Sequence, residues 1–305
     1  VMKQRIFAIL LSLTMIFTLV PTAMAEGAEA PAGEGSETPA AQIGDAKYDT
    51  LAEAVAVAKD GETVTLLKDA ELTETLDINK AITLDGANHK ITGAFSTEES
   101  LIKVQTDGDF TLTNCKFAPN TVYVNKKAGI RTAVYLKVGG NATVTNNTFE
   151  GVDNGYHNAI EFGINNDPAL MNATISGNTF TKTIKNNYFN FYNMQEGAVI
   201  NITNNQFLLA NKSSNNIRIS NNKNVSATFN LDSNTYTYAA TSEDSEFEGL
   251  ILLQDYSEKD AGTQDFTKNT INITNLTSPE DAKQILYVYD DQDGIIPVSY
   301  THLRA

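Results

Sequence analysis

"TVTNNTFEG", residues 143–151, decides how this chain folds. It is a small strand, a polar corner and an aromatic. Four close copies surround it: "TLTNCKF" at 111–117, "TISGNTF" at 174–180, "NITNNQF" at 201–207 and "NLDSNTY" at 230–236. Set on their aromatics, Phe117, Phe149, Phe180, Phe207 and Tyr236, the copies stand 32, 31, 27 and 29 residues apart. A fixed period in this range marks a repeat architecture, in which each unit stacks on its neighbours. "NTINITNLT" (269–277) reads as a further, degenerate copy.

Each copy therefore predicts one coil of a strand solenoid, with strands stacked about 4.8 Å apart. Leu112, Val144, Ile175, Ile202 and Leu231 occupy equivalent inward positions. Two residues before each aromatic comes the polar corner: Cys115, Asn147, Asn178, Asn205 and Asn234. An inward asparagine at a bend can bond its own coil and the next, so these residues predict a stacked amide ladder. Cys115 sits where that ladder begins. The aromatics predict a parallel row. A β-sandwich also suits many short strands, but it turns every 8–12 residues or so and gives no reason to align Asn and Phe every 30 or so.

Between the copies lie further strand-like runs: "LIKVQ" (101–105), "AVYLKV" (133–138), "AIEFGI" (159–164), "FNFYNM" (189–194), "NIRIS" (216–220) and "LILLQD" (250–255). "AITLDG" (81–86) precedes them and "ILYVYD" (285–290) follows. One helix is predicted, ahead of all the repeats. Thr50 and Glu53 form a capping box, and Leu51, Ala54, Val55 and Ala58 share one face. Gly61 is placed to end it. A short helix before a run of strands is what a cap on a strand stack looks like.

Here the sequence resembles a known group. "TLAEAVAVAKDGETVTLLKD" (50–69) and "LDINKAITLDGANHKITG" (76–93) are similar to the N-terminal cap and first coil of secreted right-handed parallel β-helix proteins of the pectate-lyase-like superfamily, as found on Gram-positive gut bacteria. The resemblance spans roughly residues 46–290. It implies an all-β, right-handed parallel β-helix with a short capping helix. It implies little about activity, because this scaffold serves enzymes and inert surface proteins alike.

The ends of the chain carry other signals. Lys3 and Arg5, the apolar run "IFAILLSLTMIFTLV" (6–20) and Ala23-Met24-Ala25 make a secretory signal peptide over residues 1–25. The apolar run is too short for a membrane span, so none is expected in the mature chain. Residues 26–45, rich in Ala, Gly, Pro and Glu, read as a flexible linker before a β-helix over 46–296. "PVSYTHLRA" (297–305) resembles the translation of a transposase adapter used in shotgun sequencing libraries, and the natural chain is expected to continue past that point. The net charge is −15. Removing the signal takes Lys3 and Arg5 and no acid, which makes the rest more acidic still. Such a surface repels nucleic acid and anionic lipid. One cysteine, Cys115, can form no internal disulfide.

Candidate chemistry is sparse. By the resemblance, lyases of this superfamily hold calcium with clustered acids beside a basic residue, and hydrolases use clustered Asp with nearby His and Arg. Outside the signal and the tail, this chain has two arginines, Arg131 and Arg218, and two histidines, His89 and His157. "GYHNAIEFGINND" (155–167) is the richest stretch, with His157, Glu161 and Asp167 as candidate catalytic groups. Alternation puts His157, Ala159 and Glu161 on one strand face, where a solvated surface is the simpler reading. Asp290, Asp291 and Asp293 in "YDDQDG" are candidate calcium ligands, though the closing Glu of a full calcium loop is missing. Tyr188, Phe191 and Tyr192 form a candidate sugar-stacking stripe; side-chain packing is the commoner fate of such aromatics. Recurrent Asn-x-Thr triplets, such as Asn141-Ala-Thr143, fit turn-then-strand grammar better than glycan acceptors.

The functional expectation is a secreted or wall-displayed, non-enzymatic β-helix that presents a rigid surface for adhesion to host or plant glycans or to cell-wall polysaccharide. No cofactor is expected, calcium being the one candidate. The alternative is a polysaccharide lyase or glycoside hydrolase.

Overall fold

A computed structural model of the chain describes residues 38–120, 124, 128–150, 156–163, 170–181, 187–209, 216–220, 225–238, 251–255, 268–277 and 286–290. The signal peptide, Asp167, Asp291, Asp293 and the 297–305 tail lie outside them. Within them the chain is a parallel β-helix with one helix, Leu51–Val57. Each coil contributes strands to three sheets, which have ten, seven and eight strands.

The ten-stranded sheet holds the first strand of every repeat copy. Leu84, Leu112, Val144, Ile175, Ile202, Leu231 and Ile273 are register partners along it. All are buried, at 0–4 % exposure. The degenerate copy is its last strand, Asn269–Thr274. The aromatics define the seven-stranded sheet, where Phe117, Phe149, Phe180, Phe207 and Tyr236 are partnered in register. The runs between the copies form the eight-stranded sheet. Its inward rows include Ile102, Val134, Ile160, Phe189, Ile217 and Ile251. The interior is one continuous apolar core fed by all three sheets.

The corner between the first two sheets explains the doubled polar residues of the motif. Asn114, Asn146, Gly177, Asn204, Ser233 and Asn275 all have positive φ, between 49° and 66°. Glycine and asparagine adopt this left-handed conformation most readily, so the first residue of "NN" makes the bend. The second turns inward. Asn147 Oδ1 accepts from the Cys115 N–H at 2.9 Å, and Asn147 Nδ2 donates to Asn178 Oδ1 at 3.0 Å. The pattern repeats from Asn178 to Asn205 and from Asn205 to Asn234. The second N–H of each amide donates to a carbonyl one coil back: Leu112, Val144, Ile175 and Ile202. The register pairs Asp232 with Thr274, so position 276 follows Asn234 in the row. It is Leu276, partly buried against the core. The amide row thus runs between a thiol and a leucine.

Cys115 is fully buried, and burial pushes its thiol well above the usual range. A thiol without thiolate character is inert. The folded protein is therefore expected to resist iodoacetamide at pH 8 and to take up one equivalent in urea. Rapid labelling of the folded chain would show that the corner opens.

The start of the fold differs from the sequence reading in two places. Ala41–Ile43 is already a strand, pairing antiparallel with both Ala46–Tyr48 and Thr63–Leu66. The strand lies inside the expected linker, because Ala40 and Ala41 are small enough to pack against the first coil, at 5 % and 0 % exposure. The capping box of Thr50 and Glu53 is present. Yet Gly61 does not end the helix. Ala58, with extended ψ, closes it, and Gly61 instead turns the chain into the first coil, its N–H bonding Ala81 O at 2.7 Å. Among the described residues no helix is long and apolar enough to cross a membrane.

Candidate functional site

The outward row of the eight-stranded sheet brings chemistry together. Alternation along each strand places Lys103, Tyr135, Glu161, Asn190 and Arg218 between inward apolar neighbours, and all five are register partners. They lie one above another on successive coils. Two of these coils are buried on both faces, at the strands Asn158–Phe162 and Asn187–Phe191. Glu161 is 1 % exposed, Asn190 0 % and Arg218 4 %.

Glu161 is the centre. Its Oε1 accepts from Arg131 Nη2 at 2.8 Å and from Asn158 Nδ2 at 2.6 Å. Its Oε2 accepts from Thr132 Oγ1 at 2.9 Å. Burial pushes its carboxyl above the ordinary range, while Arg131, Thr132, Asn158 and Arg218 pull the other way. Donors take both oxygens, which is the setting of a carboxylate rather than a carboxylic acid. Arg131 is the partner nearest solvent, its side chain a quarter exposed. Arg218 lies with its guanidinium carbon 5.2 Å from the centre of the Tyr192 ring. That ring is largely buried, and burial raises its phenol. Arg131 thus bonds, and Arg218 acts electrostatically on, the one buried acid among the described residues.

Asn190 stands between them with neither amide atom hydrogen-bonded; Tyr192 lies near without a bond of proper geometry. Asn187 Oδ1, Asn193 Oδ1 and Ser220 Oγ are also buried without partners. A native interior leaves few such groups, and each costs about 1–3 kcal/mol. Their concentration on two neighbouring coils sets this stretch apart from the amide ladder, whose side-chain atoms are paired.

The sequence candidates divide on this geometry. Glu161 belongs to the cluster. His157 lies at its edge, partly buried, with Nδ1 3.5 Å from Asn158 Nδ2 and its backbone N–H on Arg131 O. Tyr188 and Phe191 do not form an exposed stripe: both are fully buried. Tyr188 packs against Phe180 and Phe207, and Phe191 stacks on Phe162 at 4.6 Å. They face the core because Phe189 and Phe191 alternate inward, and Tyr188 fills the corner before them. Only Tyr192 of the three stays near the polar face. Asp290 ends the last described strand, with Asp291 and Asp293 beyond it. Among the described residues no group of three or more His, Cys, Asp or Glu comes together.

Reading along the sequence missed Arg131, Thr132, Asn158, Asn190 and Arg218 as parts of one cluster. It also missed a second amide contact, away from the ladder, where Asn187 Nδ2 donates to Asn158 Oδ1 at 3.1 Å. A signal existed: Asn158 and Asn187 each stand two residues before an inward apolar residue, Ile160 and Phe189.

A groove of about 610 Å³ beside the helix is lined by Leu51, Val55, Leu72 and several carboxylates, Glu71, Glu74 and Asp77 among them. It contains no buried polar group in want of a partner. Comparison with protein-family profiles, curated proteins and solved structures finds no match.

Proposed function

We propose that this chain is an exported β-helix, secreted or displayed on a cell wall, that binds glycans on the outer face of its eight-stranded sheet and performs no chemistry. One observation carries the reading: a buried Asn190 amide with no partner, set between Arg218, Tyr192 and Glu161 on a rigid stack. A buried polar group left without a partner gains a bond when a polar ligand reaches it, so such groups favour polar over apolar ligands. The secretory leader and the acidic composition fit a protein that works outside the cell.

Catalysis is the second reading, favoured by the convergence of Arg131 and Arg218 on Glu161. Glycoside cleavage uses two carboxyl groups at a defined separation. The cluster brings one, and three donors already hold it. A group so fixed is a poor proton carrier.

Glycan arrays carrying mucin, plant-wall and bacterial-wall structures test the proposal with the full chain. Binding to at least one class is expected, with no release of reducing or unsaturated ends on prolonged incubation. A blank on every class removes the binding claim, and sustained turnover replaces it with the catalytic one.

A further inference from the structure

We propose that the groove beside the capping helix docks a basic, extended peptide segment of a partner protein, which adds a strand along Ala70–Leu72. This interaction lies apart from the cluster around Glu161 and does not depend on glycan binding.

The three sheets begin differently. The ten-stranded sheet is covered at this end: Ala41–Ile43 pairs with Thr63–Leu66, and Ala46–Tyr48 pairs with Ala41–Ile43. The seven- and eight-stranded sheets start on Ala70–Leu72 and Leu76–Ile78, and among the described residues no strand lies before either. The helix Leu51–Val57 packs against Leu76–Ile78 and forms one wall of the groove; Ala70–Leu72 forms another. Backbone hydrogen bonds alternate sides along a strand. Leu72 O accepts from the Ala94 N–H at 2.8 Å, so the Glu71 N–H and C=O point toward the open edge. An edge of this kind is a template for a further strand. The apolar row also stops short of a cover here. Ala70 and Leu76 keep 9 % and 6 % exposure, whereas their partners one coil on, Ile91 and Ile102, have none.

Charge selects the occupant. Asp49, Asp69, Glu71, Glu74 and Asp77 line the groove against one cation, Lys68. Asp69 is engaged by the Lys90 N–H at 2.8 Å and by His89. Among the described residues no ion pair holds the other four. Glu71 stands exposed between the buried Ala70 and Leu72. An added strand that continues this alternation places aliphatic residues beside Ala70 and Leu72, and a Lys or Arg beside Glu71. A second copy of the chain is a poor occupant, because two molecules of net charge −15 repel.

Fluorescence anisotropy of the full chain with a labelled peptide alternating lysine and valine tests this. Saturable binding is expected, weakening as salt is raised. A peptide alternating glutamate and valine should bind at least about tenfold more weakly. So should the lysine peptide N-methylated along its backbone, which keeps its charge but cannot add a strand. Glu71→Lys combined with Asp77→Lys, both at exposed positions, should weaken lysine-peptide binding about tenfold or more and favour the glutamate peptide instead. Thermal melts establish that the variant is folded; if it is not, the N-methylated peptide decides. Bound lysine peptide should slow amide hydrogen exchange at Ala70–Leu72. No saturable binding, equal binding of the glutamate or N-methylated peptide, unchanged affinity in the folded variant, or protection only elsewhere overturns the proposal. None of these outcomes bears on the glycan arrays.

Discussion

Replacing Asn178 by alanine is expected to cost at least about 4 kcal/mol of stability, read as a drop in the urea midpoint. The reason is the completeness of its bonding. Its Oδ1 accepts from the Asn147 N–H and from Asn147 Nδ2, at 2.9 and 3.0 Å. Its Nδ2 donates to Val144 O and to Asn205 Oδ1, both at 2.9 Å. An amide has capacity for two bonds at each atom, and all are used. Alanine would leave a backbone N–H, a carbonyl and two neighbouring amides short of a partner, all in a site with no exposure. Asn205 Oδ1 keeps the Asn178 N–H and Asn147 Nδ2 keeps Leu112 O, so the loss is four hydrogen bonds at about 1 kcal/mol each, with the Asn147 N–H losing its side-chain acceptor, on top of the missing volume.

Asn178→Asp separates the two effects. It is nearly isosteric, so a packing account makes it mild. The hydrogen-bond account makes it as harmful as alanine, because an acceptor would then face Val144 O and Asn205 Oδ1. A small loss in Asn178→Asp would sink the ladder as a source of stability. In a stack where each coil touches only its neighbours, the damage falls on the interfaces flanking that coil. The unfolding transition is therefore expected to broaden as the two halves of the solenoid lose coupling.

The fold was legible along the sequence to the extent that it is periodic. Phe117, Phe149, Phe180, Phe207 and Tyr236 announce the coil length by spacing alone, and one corner residue recurs in phase with them. The N-terminal cap was legible in Thr50 and Glu53, whose reciprocal bonds are local. The polar cluster was not. Glu161 meets Arg131, Thr132 and Arg218 across 30, 29 and 57 positions, and the spacing between successive coils of the ten-stranded sheet runs from 20 to 42 residues. With turns of uneven length, only the register of the eight-stranded sheet decides who stands above whom, and no local pattern encodes it. The aromatics of "NNYFNFYN" misled for a related reason. In a strand buried on both faces, alternation no longer separates inside from outside, so Tyr188 and Phe191 carried no visible mark of burial.

Phe180→Ala is the second large effect, at about 3–5 kcal/mol. Phe180 is fully buried and stacks between Phe149 and Phe207, with ring centres 4.9 and 5.1 Å away and planes within 10°. Tyr188 tilts against it at 5.1 Å, and Phe189 meets it edge-on at 5.2 Å. Four rings therefore line the space alanine would empty. They cannot close it, because each is held by its own strand at the fixed coil spacing. A rigid void keeps the full cavity cost, so the upper part of the range is expected. Phe180→Leu tests the stacking itself: it keeps most of the buried apolar surface and loses the two parallel partners, for about 1–2 kcal/mol. Equal losses for leucine and alanine would mean that ring stacking, rather than volume, holds the row. A loss below about 1 kcal/mol for alanine would mean that the coils slide to fill the gap, which the bonded amide row one corner away should prevent. For that reason the two rows are expected to couple. Phe180→Ala placed in an Asn178→Ala background should cost less than it does alone, as a double-mutant cycle would read, because the coils would then be free to relax onto the void.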